Sequence, residues 1–184
     1  MKHTFVAYVE DKPGVLNRVA SLFRRRNFNI ESLTVGRTHQ SGVSRMTIVV
    51  EASDQHVARQ FEANMYKMVN VLRVDDVTHQ DSVDREMALV KVTASQDTRG
   101  EIVQIADSFR ANIVDTATYM LVLEITGTTE KVNQLLAMLD QFGVVDVQRT
   151  GIVAMLRGNV EAQSDLLSIK SSNNPNNDNG TEIA

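Results

Sequence analysis

Segments whose apolar residues recur every second position alternate, along this chain, with segments of helical period, and the order of alternation occurs twice. Residues 4–9 are β-rich and bounded by charge, which predicts a strand. Val15, Leu16, Val19, Ala20, Leu22 and Phe23 then follow helical spacing, and the helix is expected to stop after its basic end at Asn27. Residues 29–36 read as a second strand, with Ile30, Ser32 and Thr34 on one face and Glu31, Leu33 and Val35 on the other. A turn over residues 40–42 joins it to a third strand over 44–50. From Asp54, an expected N-cap, Val57, Phe61, Met65 and Met68 share a helical face, and residues 71–77 form a last strand.

Beyond a polar bridge at residues 80–84 the order recurs: a strand over 87–92, a helix face of Ile102, Ile105, Ala106 and Phe109, then strands over 112–115 and 119–125. Val132, Leu135, Leu136 and Leu139 mark a further helix, and residues 144–147 a closing strand. Twice β-α-β-β-α-β is the ferredoxin-like plan in tandem, an α+β fold with helices on one face of each sheet. The expected domains are residues 1–79 and 80–157. Residues 158–184 are asparagine- and serine-rich with little to bury, and read as a mostly disordered tail in which Leu166, Leu167 and Ile169 suit a short helix.

Composition removes several function classes. A chain of 184 residues fits one ordinary domain or two small ones, its 42% hydrophobic content is enough to build a core, and the absence of cysteine excludes disulfides, thiolate metal sites and cysteine nucleophiles. The net charge of −4 gives no field for nucleic acid or an anionic membrane. No apolar run approaches the ~20 residues of a membrane span, and the N-terminus lacks a secretory pattern, so a cytoplasmic protein is expected. His3, His39, His56 and His79 have no metal-ligand spacing. There is no nucleophile turn and no phosphate-binding glycine loop. The acidic pairs Glu10-Asp11 and Asp75-Asp76 and the basic run 24–26 read as solvated ends of elements. Strand aromatics are too few for an RNA-stacking sheet. These absences favour a binding protein over an enzyme.

The stretch that offers chemistry is Asp11-Lys12-Pro13-Gly14-Val15-Leu16, where the first strand turns into the first helix. Proline presets φ, glycine removes the Cβ, and the first helical amides point outward with no intrahelical partner, an arrangement that suits a carboxylate. The second half replaces this turn with Ser95-Gln96-Asp97-Thr98-Arg99-Gly100, without proline, so the first half is expected to carry the ligand.

That turn, with Asn29-Ile30-Glu31-Ser32-Leu33-Thr34-Val35, Ser44-Arg45-Met46-Thr47-Ile48, Arg85-Glu86-Met87-Ala88-Leu89-Val90-Lys91 and Thr150-Gly151-Ile152-Val153-Ala154, resembles in order and spacing the small regulatory subunit of acetolactate synthase. The match spans about residues 1–158. The resemblance implies an N-terminal ACT domain, a second ACT-like domain, and no catalytic activity of its own. It also implies a homodimer through the ACT domains. The expected partner is the large catalytic subunit, which uses thiamine diphosphate, Mg and usually FAD, and which the small subunit activates and makes sensitive to valine. Carried onto this chain, the valine site at the dimer interface comprises Asp11, Gly14, Val15 and Leu16 from the turn and Asn29 and Ile30 from the following strand. Many members have asparagine where this chain has Asp11. The alternative reading is a free-standing tandem ACT amino-acid sensor acting on another protein, such as a transcription regulator.

Overall fold

In the computed structural model, which describes residues 1–26, 28–51 and 55–158, each half of the chain builds its own antiparallel sheet. The expected helix stop at Asn27, the N-cap Asp54 and the tail with its short helix lie outside the described residues. The first half gives β1 (Lys2–Glu10), α1 (Val15–Arg26), β2 (Asn29–Arg37), β3 (Val43–Glu51), α2 (Gln55–Tyr66) and β4 (Val71–Asp76). Its sheet has the order β2-β3-β1-β4, so β2 and β4 are edges. The second half gives β5 (Ser82–Thr93), α3 (Arg99–Phe109), β6 (Asn112–Thr116), β7 (Met120–Gly127), α4 (Thr129–Leu139), a 3-10 turn (Asp140–Phe142), β8 (Val144–Arg149) and β9 (Val153–Leu156). Its order is β6-β7-β5-β8, with β9 also on β5. Two compact units result, Ser82–Met155 and a first unit of Met1–Asp81 that takes in the chain again from Leu156. That return is tied by the Arg157 amide, which donates to the Asp81 carbonyl at 2.9 Å. The strand at residues 87–92 thus starts earlier than its apolar pattern, at Ser82, and β9 has too few residues to show a period.

Alternation on β1 and β3 sends Phe5, Ala7, Val9, Met46, Ile48 and Val50 toward the helices, where they meet Val15, Val19 and Phe23 of α1 and Phe61 and Met65 of α2. Phe61 is the centre: its ring lies 4.4 Å from Phe5, 5.3 Å from Phe23 and 5.2 Å from Phe28. Each such side chain removed from water contributes about 1.5–3 kcal/mol. The second core is aliphatic, built from Val90, Val92, Ile102, Leu121, Leu123, Ile125, Leu135 and Leu139.

One expectation about faces is corrected. Strict alternation sets Ile30 and Leu33 on opposite sides of β2, yet both pack against the first core. The register slips between Ile30 and Ser32, where Ile30 pairs with Val50 and Ser32 with Val49. Glu31 is therefore the extra residue of a β-bulge, which reverses the phase of the strand beyond it. The second half repeats the device: Ile113 pairs with Leu123 and Asp115 with Val122. A bulge also interrupts the pairing of β1 with β4 at Tyr8/Val9 and of β5 with β8 at Lys91/Val92. The two halves are alike in these irregularities as well as in element order.

Two carboxylates are placed at a cost. Glu62 of α2 is partly buried, and burial first, then Asp76 and Asp75, raises its pKa above the ordinary glutamate value. A raised folded-state pKa means that the folded chain holds this proton more tightly, so stability falls as pH rises from the unfolded pKa through the folded one. Glu62→Gln is expected to raise the melting temperature at neutral pH, with the gain shrinking as pH falls and gone well below about pH 4, where the carboxyl is protonated in both states. A gain independent of pH in thermal melts would contradict this cause. Glu86 is 5% exposed and pairs with Arg149, whose Nη2 bonds Oε1 and whose Nε lies 3.3 Å from Oε2. Arg149→Met leaves that carboxylate buried without its cation and should cost about 2–3 kcal/mol by denaturant melting, less than a fully buried pair because Arg149 is partly in water. Adding Glu86→Leu to the same chain should recover most of the loss.

Candidate functional site

The strand-to-helix reversal at residues 10–15 is closed by local hydrogen bonds. The Lys12 amide donates to the Glu10 carbonyl at 2.9 Å and the Val15 amide to the Lys12 carbonyl at 3.3 Å. Gly14 has φ +83°, so Lys12-Pro13-Gly14-Val15 is a type II turn, with proline and glycine where that turn favours them. The Gly14 carbonyl then accepts from Arg18 at 3.0 Å and starts α1. A Cβ at Gly14 would meet nothing within 4 Å, so the turn faces open space. Among the described residues the amides of Leu16 and Asn17 have no acceptor, and the first turn of α1 carries no acidic side chain. Two unpaired donors at a helix start, with no acidic residue in the first turn of the helix, suit an anion such as a carboxylate.

Neighbouring segments clamp the turn on both sides. Toward the β2–β3 hairpin, the Asp11 amide donates to the Gly42 carbonyl at 2.8 Å and its carboxylate lies 3.1 Å from Nε of Arg37. Toward β4, Glu10 is bonded to Asn70, which also bonds Arg18. Arg18, Arg37 and Asn70 escape a reading by motif, because their roles depend on contacts 26 to 60 residues apart. The one local signal is Arg18, which stands a helical turn beyond Gly14.

The six expected residues fall into two groups. Asp11, Gly14 and Leu16 are exposed at the turn, with Leu16 47% accessible. Val15 turns its side chain into the core at 4% exposure and spends its amide on the turn itself. Asn29 and Ile30 begin β2 beside Glu51 and Val50, at the end of the sheet where β1 starts, whereas the turn lies where β1 ends. Eight residue steps of β2 separate Asn29 from Arg37, about 26 Å at strand rise. One copy of the chain therefore does not bring Asn29 and Ile30 to the turn.

The corresponding turn of the second half is built differently. Ser95 and Thr98 bond each other's amides through their hydroxyls at 3.0 and 3.2 Å, and Thr98 keeps a right-handed helical backbone. Nη2 of Arg99 reaches back to the carbonyls of Ala117 and Thr118 at 2.6 and 2.9 Å. Glu101 occupies the first turn of α3, where it complements the helix dipole and repels a second carboxylate. This turn is a fastening between helix and hairpin.

Elsewhere the chemistry is sparse. His3 and His79, far apart in sequence, come to 6.3 Å between ring centres, and His3 is buried with its Nε2 unbonded. Among the described residues no three His, Cys, Asp or Glu side chains gather to hold a metal, and no helix is long and apolar enough to cross a membrane.

Comparison with known proteins matches both halves. Residues 5–73 fit the model of the AHAS small subunit-like ACT domain, and residues 85–158 that of the small subunit of acetolactate synthase. A probable acetolactate synthase small subunit of Archaeoglobus fulgidus is 48% identical over 159 residues, 86% of this chain and 99% of that one. The acetolactate synthase small subunit of Bacillus subtilis is 40% identical over 89% of this chain and 95% of its own. The crystal structure of the small subunit from Thermotoga maritima superposes with a TM-score of 0.79 at 41% identity, covering 87% of this chain and 99% of that one. With both halves of the fold matched in order, and relatives of this identity along nearly their whole length, the chain belongs to the family of acetolactate synthase small subunits.

Proposed function

We propose that this chain is a non-catalytic, cytoplasmic regulatory subunit that binds and activates a catalytic subunit carrying thiamine diphosphate, Mg and FAD, and that it transmits feedback inhibition by valine. The observation that carries the valine reading is the division of the expected site between opposite ends of β2. That strand is an edge of its sheet, with β3 as its neighbour on one side. A second copy that added its own β2 antiparallel, centred on Leu33, would bring Asn29 of the partner subunit opposite Arg37 and so beside the Asp11–Gly14 turn. The homodimer thereby completes twice a site that each chain holds in halves.

In that site the Leu16 and Asn17 amides receive the carboxylate, and Asn29 of the partner subunit accepts from the ammonium. Leu16 and Val35, 47% and 43% exposed, are the apolar side chains available to a branched ligand, while Leu33 is turned to the core. A pocket of this kind discriminates by shape, and one methylene is worth about 1–3 kcal/mol, so leucine and isoleucine are weaker competitors. Inhibition requires that valine favour one arrangement of the assembly over another.

Gly14→Asp places a negative side chain at the carboxylate position, and Gly14→Asn imposes the same backbone strain at φ +83° without the charge. With the catalytic subunit reconstituted, the aspartate variant should need at least tenfold more valine for half-inhibition than the asparagine variant. Equal valine sensitivity of both variants and the unaltered chain would place the effector elsewhere.

A further inference from the structure

The loop that presents the carboxylate-binding amides is gripped at both ends by one residue outside it. Asn70, in the connection between α2 and β4, is 9% exposed. Its carbonyl accepts the Glu10 amide at 2.9 Å, its Nδ2 donates to Oε2 of Glu10 at 2.5 Å, and its Oδ1 accepts from Nη1 of Arg18 at 2.8 Å. Glu10 ends β1, and Arg18 is the residue whose amide closes the first bond of α1, onto Gly14. Two further contacts run from Glu10 into the loop, beside the hold of Gly42 and Arg37 on Asp11. The Glu10 carbonyl takes the Lys12 amide, the Glu10 carboxylate lies 3.3 Å from the Lys12 ammonium, and the Lys12 carbonyl takes the Val15 amide.

We propose that Asn70 is the positioning residue of the effector site, acting through Glu10 and Arg18 to fix the Leu16 and Asn17 amides without touching the ligand. The proposal rests on the valine reading given above and adds the element that sets the site's affinity. The residue type follows from the two neighbours: one side chain must donate to a carboxylate and accept from a guanidinium, which asparagine does and aspartate does not. A loop held in its binding conformation before the ligand arrives spares the ordering cost that would otherwise weaken binding, and a small displacement of the amides costs affinity without costing the fold. Arg18 provides the arm on which this separates from plain stability, because its side chain is exposed and lies outside the core.

The test is calorimetric titration of the full chain with L-valine, alone and with the catalytic subunit, beside thermal melts without valine. Asn70→Ala is expected to weaken valine at least tenfold and Arg18→Met about three- to fivefold, whereas Arg18→Lys, which keeps a donor for Oδ1, should return to within twofold of the unaltered chain. Arg18→Met should melt within a degree or two of the unaltered chain, so that its loss of affinity is not a loss of folding. If Asn70→Ala and Arg18→Met bind valine as the unaltered chain does, even with a lowered melting temperature, Asn70 is structural and the positioning role is wrong. If the unaltered chain binds no valine in either form, the valine reading itself fails and the proposal falls with it.

Discussion

The hydrogen bond from the Val15 amide to the Lys12 carbonyl reverses the chain between β1 and α1, and most of the first unit's arrangement follows from that reversal. It is possible in four residues because Pro13 and Gly14 take the two inner positions of a type II turn, the second with φ +83°. The abrupt turn sets the apolar face of α1 directly over Phe5, Ala7 and Val9, and it leaves the amides of Leu16 and Asn17 outside with no acceptor. Packing and binding capacity come from the same backbone geometry. A longer, softer connection would also let α1 reach the sheet, but it would not hold two bare amides in a fixed direction.

The second unit shows what the same fold does without that turn. Its counterpart loop keeps the helix over the sheet with a reciprocal Ser95–Thr98 pair and the Arg99 contact to the hairpin carbonyls, so its polar groups are consumed in fastening. Glu101 adds negative charge where the first unit has none. The bulges and strand orders of the two units correspond, while the loops that lead into α1 and α3 differ in chemistry. A scaffold that appears twice thus offers one receptive helix start and one closed one.

Period carries the strands and helices because each element buries one face, and the order of those faces was enough for the tandem α+β plan. The phase of β2 was not legible, because a bulge depends on which partner residue is skipped and leaves no mark in composition; Glu31 looks like any outward residue until Ile30 and Leu33 are found on one side. The turn itself was legible for the opposite reason, since Pro-Gly constrains backbone locally. Asn70 and Arg37 were not, because a side chain that serves a loop from 60 or 26 positions away has no local signature. Asn29 sits at the expected place in β2, and only the sheet register separates it from the turn by the length of a strand.

Asp11 stands where the resemblance implies asparagine in many members, and the structure pairs it with a cation. A bare carboxylate close to the Leu16 and Asn17 amides would oppose a second one at the same place. Nε of Arg37 lies 3.1 Å from it, so the pair presents little net charge, and the unpaired amides set the local sign. As a source of stability this pair is minor: Arg37 is 87% exposed, and ion pairs so open to water are worth about 0–1 kcal/mol. Its value is one of place. Arg37 ends β2, the strand through which two copies are proposed to pair, and pairing would remove water from around the ion pair and strengthen the Coulomb term that neutralises Asp11. The pairing proposed to bring Asn29 of the partner subunit to the turn would therefore also quiet the Asp11 charge, and would tie effector binding to the assembled dimer rather than to the isolated chain.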